Sequence, residues 1–350
     1  MTFQSSIVDS LILCLLWSGM CLSFTQRKYD QPPSITDEPK PYYCRESFCD
    51  VGNTVIIYVK ELETARIRCI ASGRPRVSYT WTKNGEEFNV SGSRISLESG
   101  IGTLLISNAT KDDEGDYQCS ATNIKGTALS KIAKVILAIN EPFKSVTTPF
   151  KVSVIEGMPT SLRCEQPYVV PKPNVYWKNS ADPAQDRVIL NERIAIDYEG
   201  TLHFANVLKT DEQQDGKYIC NMYNSIYRTT SEGEDKELNV SPKPGGGKSV
   251  NVVSLLWSSN KNVLGLKGDE AKFMCIFAGK NTPNITWKRT DGKWDNKRMV
   301  VSQFGHELTI TDLDFGDTGN YECSAVNDLT TTPVVEKFTL KVEGKLNVVL

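Results

Sequence analysis

A cysteine, a tryptophan 12 or 13 places later, and a tyrosine two places before a second cysteine recur three times along the 350 residues. The sets are Cys69, Trp81, Tyr117 and Cys119; Cys164, Trp177, Tyr218 and Cys220; and Cys275, Trp287, Tyr321 and Cys323. The paired cysteines lie 50, 56 and 48 residues apart, and the first cysteines recur at intervals of 95 and 111. Three copies in register force a modular reading, because each copy must bury its own apolar residues around its own cysteine pair.

The spacing is that of an immunoglobulin sandwich, in which the tryptophan packs on an inter-sheet disulfide and the tyrosine forms a corner. Period-two patterning agrees with strands. Tyr79, Val175 and Ile285 lie two places before the tryptophans and share their face. A later strand supplies Leu104 and Ile106, Leu202 and Phe204, and Leu308 and Ile310; the intervening Leu105, His203 and Thr309 are expected to face outward. Each disulfide adds ~4 kcal/mol on the chain-entropy account. Asp113-Glu114-Gly115-Asp116-Tyr117 and Asp317-Thr318-Gly319-Asn320-Tyr321 share an Asp-x-Gly-x-Tyr pattern, which with the cysteine spacing suggests the intermediate set. The middle copy departs, with Gln214 at the aspartate position and Asp215 one place late. Arg94, Arg193 and Arg298 lie upstream, where such folds commonly pair an arginine with that aspartate. The expected fold is all-β, three tandem sandwiches over residues 32–138, 142–240 and 251–343.

Residues Leu11 to Leu22 form an apolar run too short to span a bilayer, and 1–23 reads as a secretory signal peptide despite Asp9 and the lack of a preceding Lys or Arg. Removing Cys14 and Cys21 leaves an even set of eight cysteines, which in a secreted chain reads as disulfides. Cys44 and Cys49 stand outside the repeat and read as a local loop-closing disulfide, with bonding to another chain as the alternative. With 40 basic residues against 42 acidic, bulk charge gives no drive toward nucleic acid. Two histidines, His203 and His306, leave little room for histidine chemistry, and neither has a serine or cysteine nucleophile beside it in a recognisable motif. No catalytic, cofactor or metal site is expected. The expected location is extracellular, either secreted or as the outer part of a plasma-membrane protein.

The joint Ala138-Ile139-Asn140-Glu141-Pro142 is short and lacks glycine, which predicts restricted bending there. The stretch 241–250 carries Pro242, Pro244 and Gly245 to Gly247, so the third sandwich is expected to swing or to fold back beside the second. Four Asn-x-Ser/Thr sequons, at Asn89, Asn108, Asn239 and Asn284, are glycosylation candidates. Lys267-Gly268-Asp269 resembles a variant integrin-recognition tripeptide, but Gly-Asp at that point is ordinary turn chemistry.

Several stretches carry a family resemblance. They are Pro32-Pro33-Ser34-Ile35-Thr36, Ala71-Ser72-Gly73-Arg74-Pro75 leading into Trp81, the run Glu192 to Val207 with Tyr198-Glu199-Gly200-Thr201-Leu202-His203-Phe204, and Leu264 to Trp287. The chain resembles the amino-terminal three domains of the neuroglian and neurofascin type of neural cell-adhesion molecule, the invertebrate members above all. The resemblance implies adhesion between cells in axon growth and guidance, by contacts with cell-surface proteins: the same molecule or other immunoglobulin-superfamily members. It implies no nucleic acid and no small-molecule substrate. It also implies that the third domain folds back on the second, as in the family's four-domain horseshoe, whose fourth domain is absent here. Ending at Leu350, the chain is read as either a fragment or a truncated secreted form.

Ser180 to Asp186 is faintly similar to a second class, the hemolin type of secreted insect immune protein, which implies binding of microbial surfaces and haemocytes. A soluble decoy of a full-length adhesion molecule is a third reading.

Overall fold

In a computed structural model the described residues are 10–14, 21–25, 30–41, 50–51, 53–144, 150–180, 187–212, 217–243, 253–330 and 332–344. The expectations for Cys44 and Cys49, and for Gly245 to Gly247, lie outside them. Near the start, Ser10–Cys14 pairs antiparallel with Cys21–Thr25. The chain divides into two compact units, Met1–Leu137 and Ala138–Leu350.

The first unit is one sandwich. One sheet joins Ile95–Leu97, Leu104–Ile106 and Ala65–Ile67; the facing sheet includes Thr54–Lys60, Gly115–Asn123, Ser78–Lys83 and Glu86–Phe88. Alternation sets which side is dry: Val55, Ile57 and Val59 are buried along Thr54–Lys60, and Leu104 and Ile106 flank the half-buried Leu105. These side chains, Trp81 and the Cys69–Cys119 bond occupy one core.

The second unit holds two more sandwiches. In the middle one, Thr160–Leu162, Leu202–Phe204 and Ile194–Ile196 face a sheet ordered Phe150–Ile155, Thr229–Ser241, Tyr218–Asn224 and Asn174–Asn179. In the last, Ser254–Ser258, Ala271–Ala278, Glu307–Ile310 and Met299–Ser302 face Asn262–Leu266, Val334–Glu343, Gly319–Val326 and Asn284–Arg289. In every copy the tryptophan is the cross-strand partner of the second cysteine: Trp81 of Cys119, Trp177 of Cys220, Trp287 of Cys323. That register puts the indole beside the disulfide, and each indole N–H donates to a glycine carbonyl, of Gly102, Gly200 and Gly305. Disulfides join Cys164 to Cys220 and Cys275 to Cys323 as well.

The tyrosine corners close in the same way. The hydroxyls of Tyr117, Tyr218 and Tyr321 donate to the carbonyls of Asp113, Asp211 and Asp317 at 2.8, 2.9 and 2.8 Å. Arg94, Arg193 and Arg298 grip the carboxylates of the same three aspartates with two hydrogen bonds each. The middle partner is therefore Asp211, not the Gln214 or Asp215 that alignment on the tyrosine suggests. The arginine reads the end of a short 3-10 turn, Lys209–Asp211, matching Lys111–Asp113 and Phe315–Asp317. In the middle copy extra residues separate that turn from the tyrosine.

Candidate functional site

The third sandwich does not form a separate unit, and its strand Ala271–Ala278 explains why. A strand at the surface of a sandwich alternates buried and exposed, yet here every residue but Lys272 is buried. Phe273, Cys275 and Phe277 belong to the sandwich's own core. Met274 and Ile276 point the other way and join Ala195 of the middle sandwich in a separate apolar cluster, with Tyr198, Leu256 and Trp257 packed around it. The outer faces of two sheets thus meet, and the third sandwich lies against the second.

The middle sandwich presents the hairpin Ile194–Ile196 and Leu202–Phe204 to this junction. Its loop is built on Asp197. One carboxylate oxygen accepts the amides of Glu199 and Thr201 at 2.8 and 2.9 Å. Gly200 completes the loop with φ +83, and a Cβ there would come within 2.7 Å of Val175. Tyr198 projects across the junction. Its hydroxyl donates to Glu307 Oε2 at 3.0 Å, and its ring meets Trp257 edge-on at 5.7 Å. Burial, with the Glu307 carboxylate adding to it, pushes the Tyr198 hydroxyl pKa far up. Two further bonds cross nearby: Asn206 Nδ2 donates to the Gly279 carbonyl at 2.8 Å, and the Gly279 amide donates to Ala205 O at 3.1 Å.

Both histidines of the chain lie at this junction. His203, expected outward from strand alternation, is on the outer side of its sheet but only 4% exposed. Its Nδ1 lies 2.8 Å from Ser161 Oγ and its Nε2 lies 2.9 Å from Asp197 Oδ2. Burial opposes ionisation of Asp197, but hydrogen bonds from His203, Thr201 and Glu199 outweigh it and hold the carboxyl below its ordinary pKa. The serine partner comes from 42 residues away through strand register, with Ser161 directly opposite His203, so no local motif signals it. His306 donates from Nδ1 to the Cys275 carbonyl at 3.1 Å. Its Nε2 is buried without a hydrogen-bond partner, while backbone oxygens of Asn191 and Glu192 in the middle sandwich face the ring. Burial pushes the His306 pKa down, against those carbonyls and the Glu192 carboxylate, which push it up.

The sequons do not gather at this junction. Asn89 follows the edge strand Glu86–Phe88, Asn108 lies in a turn with φ +49, and Asn284 opens the edge strand Asn284–Arg289; all three are exposed. Asn239 is half-buried in a strand paired on both sides. Gly268 of the Lys267-Gly268-Asp269 turn has φ +85, and its amide donates to Leu313 O at 2.7 Å, as a tight connection between strands requires. No helix among the described residues is long and apolar enough to cross a membrane.

Residues 50–123 match the family described as immunoglobulin domain, and residues 257–342 match the immunoglobulin I-set domain. The chain is 31% identical to neuroglian of Drosophila melanogaster over 337 residues, covering 93% of this chain and 24% of that protein. It is 31% identical to the neuronal cell adhesion molecule of Gallus gallus, covering 94% of this chain and 25% of that one. The chain therefore spans about a quarter of the length of these curated relatives. Among solved structures, the insect immune protein hemolin superposes with a TM-score of 0.72 at 24% identity, covering 90% of this chain and 78% of hemolin's. At that identity the likeness shows the fold.

Proposed function

This chain belongs to the immunoglobulin superfamily and is related along nearly all its length to the neuroglian type of neural cell-adhesion molecule, and on that premise we propose that it is an extracellular adhesion and recognition protein. It binds cell surfaces by protein–protein contact, with a second copy of itself or with other immunoglobulin-superfamily members, and without catalysis or cofactor. The observation that carries this reading is the 31% identity over 93% of the chain to an adhesion molecule. The docked second and third sandwiches support it, because fixing two sandwiches together presents their remaining faces in one geometry and lowers the ordering cost of binding. Removal of residues 1–23, the limits 32–138, 142–240 and 251–343, and glycans at the four sequons belong to the same proposal.

Single adhesive contacts of this kind are weak, and multivalency raises their effective concentration. Beads densely coated with the full chain are the test. They are expected to cluster with one another or to bind neural cells. Beads that do neither, yet bind bacterial envelope preparations, would replace this reading with a hemolin-like immune one.

A further inference from the structure

Where the two sandwiches meet they leave a cavity of about 390 Å³, walled by both. The middle sandwich contributes Ser161, Arg163, Glu165, Glu199 and Thr201, and the third contributes Trp257. Among the described residues, Arg163, Glu165 and Glu199 have no side-chain ion pair, and all three are exposed where they line this half-open space. Asp197 and His203 also line it, but they are spent on each other. Asp197 accepts from His203 Nε2, and Nδ1 is hydrogen-bonded to the Ser161 hydroxyl. The Ser161 hydroxyl is thereby fixed at the cavity wall. Around the space stand a guanidinium that can only donate, carboxylates that can only accept, a hydroxyl at Thr201, and the half-buried indole of Trp257.

We propose that this cavity binds a neutral sugar residue. An anion would meet Glu165 and Glu199, and a cation would meet Arg163. A hexose or N-acetylhexosamine carries no charge, offers a donor and an acceptor at every hydroxyl, and has an apolar C–H face that suits an indole. Arg163 is the specificity-determining group, since its planar fork can hold two neighbouring hydroxyl oxygens at once. Because Trp257 is on the third sandwich, the site is complete only while the two sandwiches are docked. The proposal stands apart from protein-mediated adhesion: bead clustering reads protein contact, whereas the measurement below reads the cavity alone.

The experiment labels the full chain with 5-fluorotryptophan, assigns the Trp257 fluorine signal with W257F, and titrates with the methyl glycosides of mannose, galactose and N-acetylglucosamine. N-acetylneuraminic acid and inorganic phosphate are the charged controls. The expected result is a saturable shift of the Trp257 signal with at least one neutral glycoside, and affinity lower by at least about tenfold in Arg163→Ala, which loses the charged hydrogen bonds of the fork. Arg163 is exposed, so that variant should keep its fold; unshifted signals from Trp81, Trp177, Trp287 and Trp294 check this. No shift with any neutral glycoside overturns the proposal. So does a shift produced only by the charged controls, or one that Arg163→Ala leaves intact. Repeating the titration with a neutral N-glycan on a peptide separates the two sources of the sugar. Binding there assigns the site to glycans on other molecules; binding of the free glycoside alone assigns it to small sugars.

Discussion

Arg193 and Asp211 are the most enclosed of the three arginine–aspartate pairs, with side chains 17% and 8% exposed, while Arg94 is 41% exposed against Asp113. Removing one partner of a buried pair strands the other charge, at a cost of about 3 kcal/mol. Arg193→Met is therefore expected to lower hydrogen-exchange protection across Tyr218–Asn224 by at least about a hundredfold, with Arg94→Met costing its own sandwich less because water screens it. Equal losses in the two variants would refute the ranking. The outer copies add a pH dependence. Burial pushes the pKa of Asp113 and Asp317 up, but hydrogen bonds from Arg94 and Thr110, and from Arg298 and the Asp314 amide, bring both below the ordinary value. A depressed carboxyl stabilises the fold fully above its unfolded pKa, near 3.9, and that stability is lost as pH falls through the folded value. Acid unfolding of these two sandwiches is thus expected below about pH 4, later in acid than in Arg94→Met and Arg298→Met variants. At the sequons, peptide mass spectrometry is expected to find fuller glycan occupancy at exposed Asn89, Asn108 and Asn284 than at half-buried Asn239.

At the scale of elements, the strand Ala271–Ala278 carries the junction, since its second apolar face has no role within its own sandwich. Met274→Asp puts a charge into that dry contact, which is strongly unfavourable without a partner. The expected outcome is loss of docking with the third sandwich still folded: the Gly279 amide, bonded to Ala205, loses exchange protection while the core amides of Gly319–Val326 keep theirs. Coincident loss in both places would mean that Met274 holds the sandwich itself. The core positions are legible in the repeat itself. A tryptophan 12 or 13 places after the first cysteine and alternation around Leu104, Leu202 and Leu308 are local patterns, and local patterns survive in a linear text. The junction is less legible. Phe273 to Phe277 reads as a continuous apolar run, which a strand buried on both faces would also give, but nothing in the run names the covering surface. His203 sits at an outward position and is buried by tertiary packing alone, and Ser161 reaches it only through strand register. Spacing counted back from the tyrosine misses Asp211, because the arginine's partner is fixed by the 3-10 turn and not by distance from the tyrosine.

For the molecule as a whole, we expect the second unit to dock through a proton-dependent latch. His306 is the group at issue, and the charged and titratable groups around it are few. Glu192 faces it from the middle sandwich; Glu307, next in the chain, is engaged by Tyr198; and its own strand partner offers only the Cys275 carbonyl. Burial depresses the imidazole pKa, and a ring returned to water on undocking regains its ordinary value, so undocking is expected to take up protons. Docking is then complete above the ordinary histidine pKa, about 6.5, and weakens as pH falls from there through the depressed value. Energy transfer between dyes on the middle and third sandwiches is expected to fall reversibly on acidification from neutral to about pH 5. His306→Gln keeps a donor for the Cys275 carbonyl but cannot take up a proton, and should flatten the response. Dyes that report no change in the native chain, or an equal change in His306→Gln, would show that the latch does not depend on this ring. The same titration should release the cavity signal, because Trp257 leaves with the third sandwich, and any adhesive surface that needs both sandwiches in one arrangement would be lost over the same pH range.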